Sequence, residues 1–260
     1  MTYFYQIIHK KRQISRMQLR FNLLLLCFGI TCFSCRSIDH LADTKAKTIR
    51  VTNIAQDSSI LALTSAYKAN MDAKMNEVIA YVHEPMVKER PESTLTNWVA
   101  DAIYNQAKKN FKQPIDFAYQ NYGGIRIPTL AKGDLTVGKV FELMPFDNSL
   151  LVVKLNHDEL LQFISYLAEI EGGPVSSNIK MIISNKKVES LLINGLPIEN
   201  TKEYFVAMPD YIANGGDNQS YLSDNERLDK NILLRSALMA EARDQKVVKS
   251  ALDQRIIVKK

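Results

Sequence analysis

Three short corners of this 260-residue sequence join glycine or proline to groups that can recognise a ligand. The first, Asn121-Tyr122-Gly123-Gly124-Ile125-Arg126, sets two glycines between an amide and a guanidinium. The second is Met144-Pro145-Phe146-Asp147-Asn148, and the third runs Tyr211-Ile212-Ala213-Asn214-Gly215-Gly216-Asp217. Glycine lets a backbone approach closely whatever lies against it, and an amide can both donate and accept. Arginine offers a planar fork of donors, and a carboxylate accepts from two hydroxyls at once. Taken singly, each corner is explained by a tight turn. Glycine is the usual residue where φ is positive, aspartate after glycine is common in turns, and phenylalanine after proline is more often core.

Hydrolytic chemistry does not accompany these corners. Beyond residue 35 the histidines are His40, His83 and His157, far apart and without metal-ligand spacing. Asn156-His157-Asp158 is better explained as a helix cap than as a ligand group. No Ser-His-Asp order or G-x-S-x-G segment offers a nucleophile. The three cysteines, Cys27, Cys32 and Cys35, all lie before residue 36. The chain beyond them can form no internal disulfide and no thiolate metal site, so its fold must stand on packing.

Periodicity supplies the elements that must place the corners. Ile60, Leu63, Tyr67 and Met71 recur at helical spacing, and residues 76–82 then read as a strand. The clearest helix carries Leu95, Trp98, Val99, Ala102, Ile103 and Ala107 on one stripe, with Ser93 or Thr94 to cap it and Lys108 and Lys109 at its negative end. A short strand over 115–120 runs directly into the first corner. A strand over 149–155 leads to a helix opening near Asn156, where Glu159 is placed for a capping box. Gly172-Gly173-Pro174 ends that helix. Strands at 180–184 and 187–193 come next, then a two-residue turn signal at Asn194-Gly195. A strand at 203–209 enters the third corner, a helix is expected over 231–244, and a strand over 255–258 closes the chain. Helices and strands interleave without repeats, which predicts an α+β fold, one mixed αβ domain over residues 58–257.

The first 34 residues hold Lys10, Lys11, Arg12, Arg16 and Arg20 and no acid. Those five are part of 33 basic residues, and the remaining 28 balance the 28 acids. The body therefore has no global charge that would draw it to a nucleic acid polymer. The basic opening precedes an apolar run from Phe21 to Phe33, short of the roughly 20 residues of a membrane span. Basic flank, short apolar run and small residues form an export signal. Cys32-Phe33-Ser34-Cys35 resembles a bacterial lipoprotein signal, so residues 1–35 are expected to be a signal peptide with lipidation at Cys35. Residues 36–57 read as a polar tether. The protein is thus expected in the bacterial cell envelope, on its periplasmic or surface face, held to a membrane by lipid. Cleavage nearby, or retention as a plain anchor, is the alternative.

Taken together, in order and spacing, the corners resemble the C-terminal domain of the 5'-nucleotidase family, secreted enzymes that remove phosphate from nucleoside 5'-phosphates. The family's E-x-N/S-x-x-N helix start, N-G-G-G-I-R, P-F-x-N and F-L-A-x-G-G-D segments read here Glu92–Asn97, NYGGIR, PFDN and YIANGGD. The resemblance implies a ligand that is a nucleoside or nucleoside 5'-phosphate, with its base sandwiched between Phe146 and Tyr211. It implies that Asn121 meets the base edge, Asp217 the ribose hydroxyls and Arg126 the phosphate or ribose side. Gly123, Gly124, Gly215 and Gly216 would let the backbone come close. Tyr122 stands where the family has glycine, at a cost of about 1 kcal/mol if that position needs positive φ. Glu89 stands where a second family arginine belongs, one residue from Arg90.

In the family a separate N-terminal metallophosphoesterase domain performs the hydrolysis, and its D-x-H and G-N-H-D/E markers do not occur here. The resemblance therefore implies no catalytic residue, metal site or cofactor in this chain. Divalent metals would belong to a metallophosphoesterase partner chain, with which the protein serves nucleotide catabolism as part of a phosphoric ester hydrolase. A nucleoside-binding surface lipoprotein without catalysis is one alternative. A structural protein whose pocket Tyr122 has closed is another.

Overall fold

The computed structural model describes residues 57–259. The signal expected over 1–35, the Cys35 site and all but the end of the 36–57 tether lie outside the described residues.

The body is built on a four-stranded sheet. Strand β6 (Ser149–Leu155) pairs antiparallel with β9 (Tyr204–Pro209), and β9 pairs parallel with β3 (Phe117–Ala118). β10 (Arg227–Leu233) lies antiparallel on the far side of β6, which gives the order β10-β6-β9-β3. Because side chains alternate along a strand, β6 feeds two cores at once. Leu150 and Val152 join one apolar cluster, while Leu151, Val153 and Leu155 join the other. That double burial explains why SLLVVKL is a nearly continuous apolar run.

The first core is closed by α2 (Thr94–Asn110) and α6 (Leu234–Gln245). Ser93 caps α2 in a reciprocal box with Thr96, and Leu95, Val99, Ala102 and Ile103 are wholly buried. The second core is closed by α4 (His157–Glu169) and by a sheet in which β7 (Ile179–Ser184) lies between β12 (Ile256–Lys259) and β8 (Lys187–Ile193). Asn156 and Glu159 make the expected capping box on α4, with Asn156 Oδ1 accepting from the Glu159 N–H at 3.0 Å. His157 is thereby a helix-start residue.

Shorter elements complete the body. β1 (Val78–Val82) lies between β5 (Gly133–Thr136) and β11 (Val247–Val248), and β2 (Met86–Val87) pairs with β4 (Thr129–Leu130). α3 (Val137–Leu143) precedes the second corner and α5 (Asp210–Ala213) opens the third. α1 (Ser58–Met75) forms as its spacing predicts, capped by Asp57. Its stripe of Ile60, Leu63, Tyr67 and Met71 is exposed, because the helix meets the body near its C-terminal end, where Met75 lies against Gly138.

One expectation needs correction. The helix expected over 231–244 begins at Leu234, and Arg227–Leu233 is a strand. β10 is an edge strand with charged residues and a register shift near Asn231 (φ 55°), which hides its alternation in the sequence. The two-residue turn expected at Asn194-Gly195 forms between Ile193 and Leu196, which bridge each other antiparallel, and the β7–β8 hairpin itself turns at Asn185-Lys186, both with positive φ.

Helices α2 and α6 are joined by Glu241, a 4 % exposed carboxylate that accepts from Asn105, Gln106, Lys109 and Gln245. Burial pushes this carboxyl up, but the four hydrogen bonds outweigh it and hold it below its ordinary value. A carboxyl depressed on folding adds stability that is present above its unfolded pKa and lost as pH falls through its folded pKa. Glu241→Gln should therefore lower stability at neutral pH by about 1–3 kcal/mol. Urea unfolding followed across pH should show the deficit shrinking under acid; a deficit that stays constant with pH would deny the carboxylate this role.

Candidate functional site

The three corners meet at one end of the central sheet. β3 and β9 run parallel, so both deliver their C-terminal ends there, and β6 runs antiparallel, so its first residue starts there. Asn121 follows β3, Asn148 precedes β6, and Tyr211 follows β9. Loops beyond the carboxyl ends of adjacent parallel strands are where open α/β sheets place ligands.

Between the corners lies a cavity of about 330 Å³, within the size range of small-molecule sites. Asn121, Gly123, Gly124 and Arg126 form one wall, Phe146 and Asn148 a second, and Tyr211 and Asp217 a third. Phe146 is 48 % exposed and Tyr211 44 %, so neither ring is core. Gly215 and Gly216 stand just outside this cavity, in a shallower depression that shares Asn148 and Tyr211 with it. Asn148 is a wall residue that sequence reading did not single out, although it ends the second motif.

Local chemistry fixes each wall. Tyr122–Gly124 form a single turn of 3-10 helix, so Tyr122 needs no positive φ and carries no strain from standing in place of a glycine. Its ring does not line the cavity; it lies under Lys88 and Arg90, whose charged groups are 4.0 and 4.5 Å from its centroid. A Cβ on Gly124 would overlap the Gln120 amide, which donates to Asn121 Oδ1 at 2.8 Å. With Oδ1 so engaged, Asn121 Nδ2 is the end left to donate to a ligand. Arg126 donates to the Gly123 carbonyl at 3.2 Å and holds its guanidinium 5.5 Å from the Phe146 ring centroid.

Across the cavity, Asp217 adopts left-handed φ (52°), and its carboxylate is gripped at both oxygens. The Tyr211 hydroxyl donates to Oδ1 at 2.9 Å and the Tyr166 hydroxyl to Oδ2 at 3.4 Å. Burial raises the Tyr166 hydroxyl above its ordinary value, which keeps it a donor at neutral pH. A Cβ on Gly216 would sit 2.5 Å from the Tyr211 carbonyl and 2.6 Å from its ring, so only glycine lets the ring fold over to Asp217.

The least legible part of the site is Arg235, in the first turn of α6. It is 6 % exposed, stacks 3.9 Å from the Phe141 ring centroid, and donates to the carbonyls of Met144, Pro145 and Phe146 and to the Asp147 carboxylate. One guanidinium thus holds the backbone of the whole second corner. An isolated arginine some 90 positions from its partners leaves no mark that sequence spacing could reveal.

A metal centre is a separate matter. Among the described residues no three His, Cys, Asp or Glu side chains come together as a metal-binding group. His83 is exposed beside Glu84, and His157 belongs to the start of α4.

The family model described as 5'-nucleotidase, C-terminal domain, matches residues 73–224. Protein UshA of Yersinia enterocolitica is 26% identical over 191 residues, which are 70% of this chain and 34% of that protein. A 5'-nucleotidase of Vibrio cholerae is 24% identical over 188 residues, 69% of this chain and 33% of that one. Among solved structures, the 5'-nucleotidase precursor of Thermus thermophilus is similar with a TM-score of 0.65 and 28% identity, covering 76% of this chain and 42% of that chain. The chain spans about a third of the length of the curated relatives it matches.

Arg235→Met should leave three buried or half-buried carbonyls unpaired and cost about 1–3 kcal/mol in urea unfolding. Hydrogen exchange should accelerate first at residues 144–148, with Arg235→Lys recovering part of the loss. Uniform loss of protection over the whole body would mean that Arg235 serves the core and not the corner.

Proposed function

The chain belongs to the 5'-nucleotidase family by its C-terminal domain, and on that premise we propose that it is the nucleotide-recognising half of an enzyme that dephosphorylates nucleoside 5'-phosphates. The observation that carries this reading is the convergence of an exposed phenylalanine, an exposed tyrosine, an amide, a guanidinium and a doubly held carboxylate on one cavity. A base would stack between Phe146 and Tyr211, each face contributing about 1–3 kcal/mol. Asn121 Nδ2 would meet the base edge. Asp217, fixed by two tyrosine hydroxyls, would accept from the ribose hydroxyls, and Arg126 would face the phosphate side. Gly215 and Gly216 serve by letting Tyr211 fold into place. Tyr122 lies outside the cavity, which favours a ligand-holding pocket over a closed one.

Among the described residues no three His, Cys, Asp or Glu side chains gather as a metal-binding group, and no bond-breaking step is assigned to them. Hydrolysis would fall to a metallophosphoesterase chain that brings its own divalent metals. Export and lipid attachment at Cys35, as the signal-like segment suggests, would place the pair together in the cell envelope. Cys35→Ala should then release the protein from the membrane fraction; a variant that remains membrane-bound and uncleaved would make the segment a plain anchor.

Calorimetric titration with adenosine tests the pocket. Phe146→Ala or Tyr211→Ala should each weaken binding by about 1–3 kcal/mol, roughly 5- to 150-fold. Phe146→Leu should keep the fold but recover only part of the affinity. Asp217→Asn should penalise adenosine more than adenine, and Tyr122→Gly should leave adenosine binding similar. If these variants unfold the domain equally and bind alike, the rings are structural and the pocket reading fails.

A further inference from the structure

Helix α1 leaves five large apolar side chains in the open: Ile60, Leu61, Leu63, Tyr67 and Met71 are each more than half exposed. Ile60, Leu63, Tyr67 and Met71 recur at steps of three and four residues, so they share one face of the helix. Monomeric soluble proteins rarely expose a contiguous apolar patch above a few hundred Å². The body does not cover this one, because α1 meets it near the C-terminal end. There Met75 rests so close to Gly138 that a Cβ on the glycine would stand 3.0 Å from the Met75 carbonyl. Lysines border the stripe. Lys68 and Lys74 stand three residues to either side of Met71, which puts one on each flank, and neither forms an ion pair among the described residues. Their stems can lie along apolar surface while the ammonium groups reach outward to water or to anions. Tyr67 joins an apolar ring to a polar tip, a combination enriched where a membrane meets water. Apolar stripe, flanking lysines and tyrosine are the equipment of a helix that lies in the plane of a bilayer. No described helix is long and apolar enough to cross a membrane, so α1 could lie on one but not span it.

The place of α1 in the chain decides what covers the stripe. Asp57, which caps the helix, follows Cys35 by about 20 positions, at most about 70 Å of chain whatever its course. The segment up to Cys35 reads as an export signal that ends in lipid attachment or stays as a plain anchor. Either way the chain is held to a membrane just ahead of α1, and α1 is the first part of the body to reach the surface. Its contact with the bilayer is then intramolecular, whereas a second copy or a protein partner must still arrive by diffusion. We propose that α1 is an in-plane membrane helix, with Ile60, Leu63, Tyr67 and Met71 in the boundary between headgroups and acyl chains and Lys68 and Lys74 among anionic headgroups. The inference rests on membrane attachment ahead of α1 and not on the nucleoside pocket. One such helix binds reversibly, so the attachment and not α1 keeps the protein on the membrane. What α1 adds is attitude. Because its end packs against α3, which leads into the second corner, a helix held in the membrane plane holds the body in one orientation to the surface.

The test places a fluorescent reporter on each side of α1 in the full chain, taken from cell membranes and reconstituted in vesicles of phosphatidylethanolamine and phosphatidylglycerol. The one natural tryptophan, Trp98, is 2 % exposed and gives a constant background. Tyr67→Trp puts the reporter in the stripe, and Ala69→Trp puts it on the opposite face. The reporter at 67 should emit further to the blue and be quenched by lipids brominated in their acyl chains. Acrylamide in the water should quench it several-fold less than the reporter at 69. Adding Leu63→Gln and Met71→Gln should open position 67 to acrylamide while the protein stays in the membrane fraction. These positions are exposed, so the body should keep its near-UV dichroism. Equal acrylamide quenching at 67 and 69 would overturn the inference, because the stripe would then face water. A reporter at 67 that is shielded from acrylamide yet untouched by brominated lipid would overturn it too, because a protein surface would then be the cover. If the parent chain is found free of the membrane, the attachment is absent and the inference falls with it, whatever the protein does with adenosine.

Discussion

The candidate site depends on the two ladders made by β9. By pairing antiparallel with β6 and parallel with β3, this one strand brings residues 121, 148 and 211 to the same end of a sheet, although they are spread over 90 positions of sequence. Register is specified because both faces of the sheet are buried. A slip by one residue would turn Leu150 and Val152 from one core into the other and misplace every side chain of β6. The walls of the cavity are thus a by-product of core packing, while the loops between them are free to carry polar chemistry.

On that rigid base, the polar groups are held by other polar groups rather than left to find their own positions. Gln120 orients Asn121, two tyrosine hydroxyls orient Asp217, and Arg235 orients the backbone on which Phe146 stands. Apart from Tyr211, which is itself a wall of the cavity, these supports are buried or half-buried, so the orientation of the exposed group is fixed before any ligand arrives. Pre-organisation of this kind lowers the entropy that binding must overcome. Of the residues that line the cavity, the cation Arg126 sits on the first corner and the carboxylate Asp217 on the third, which makes the cavity polar along its length.

Much of this was legible in the sequence where the signal was local. The strand over 149–155 and the box at Asn156 and Glu159 declare themselves through a continuous apolar run followed by a cap, and the structure has both. The corners declare themselves through glycine or proline placed just beyond a strand or a helix, and seven of the nine residues proposed for recognition line the cavity. Gly215 and Gly216 act one step away, through the placement of Tyr211. What escaped notice depends on contacts between distant segments. β10 is an edge strand whose charged residues conceal its alternation, Arg235 acts on a corner far from it in sequence, and Tyr122 finds its partners at positions 88 and 90. The helix α1 shows the opposite failure. Its apolar spacing is plain, yet nothing local could show that the stripe would face solvent.

The most direct measurement is a crystal structure of the protein grown with adenosine 5'-phosphate. The account predicts the adenine ring between Phe146 and Tyr211, both ribose hydroxyls within hydrogen-bond distance of Asp217, and the phosphate on the Arg126 side of the cavity. A nucleotide bound elsewhere on the body, or an empty cavity at saturating ligand with the two rings undisturbed, would contradict it.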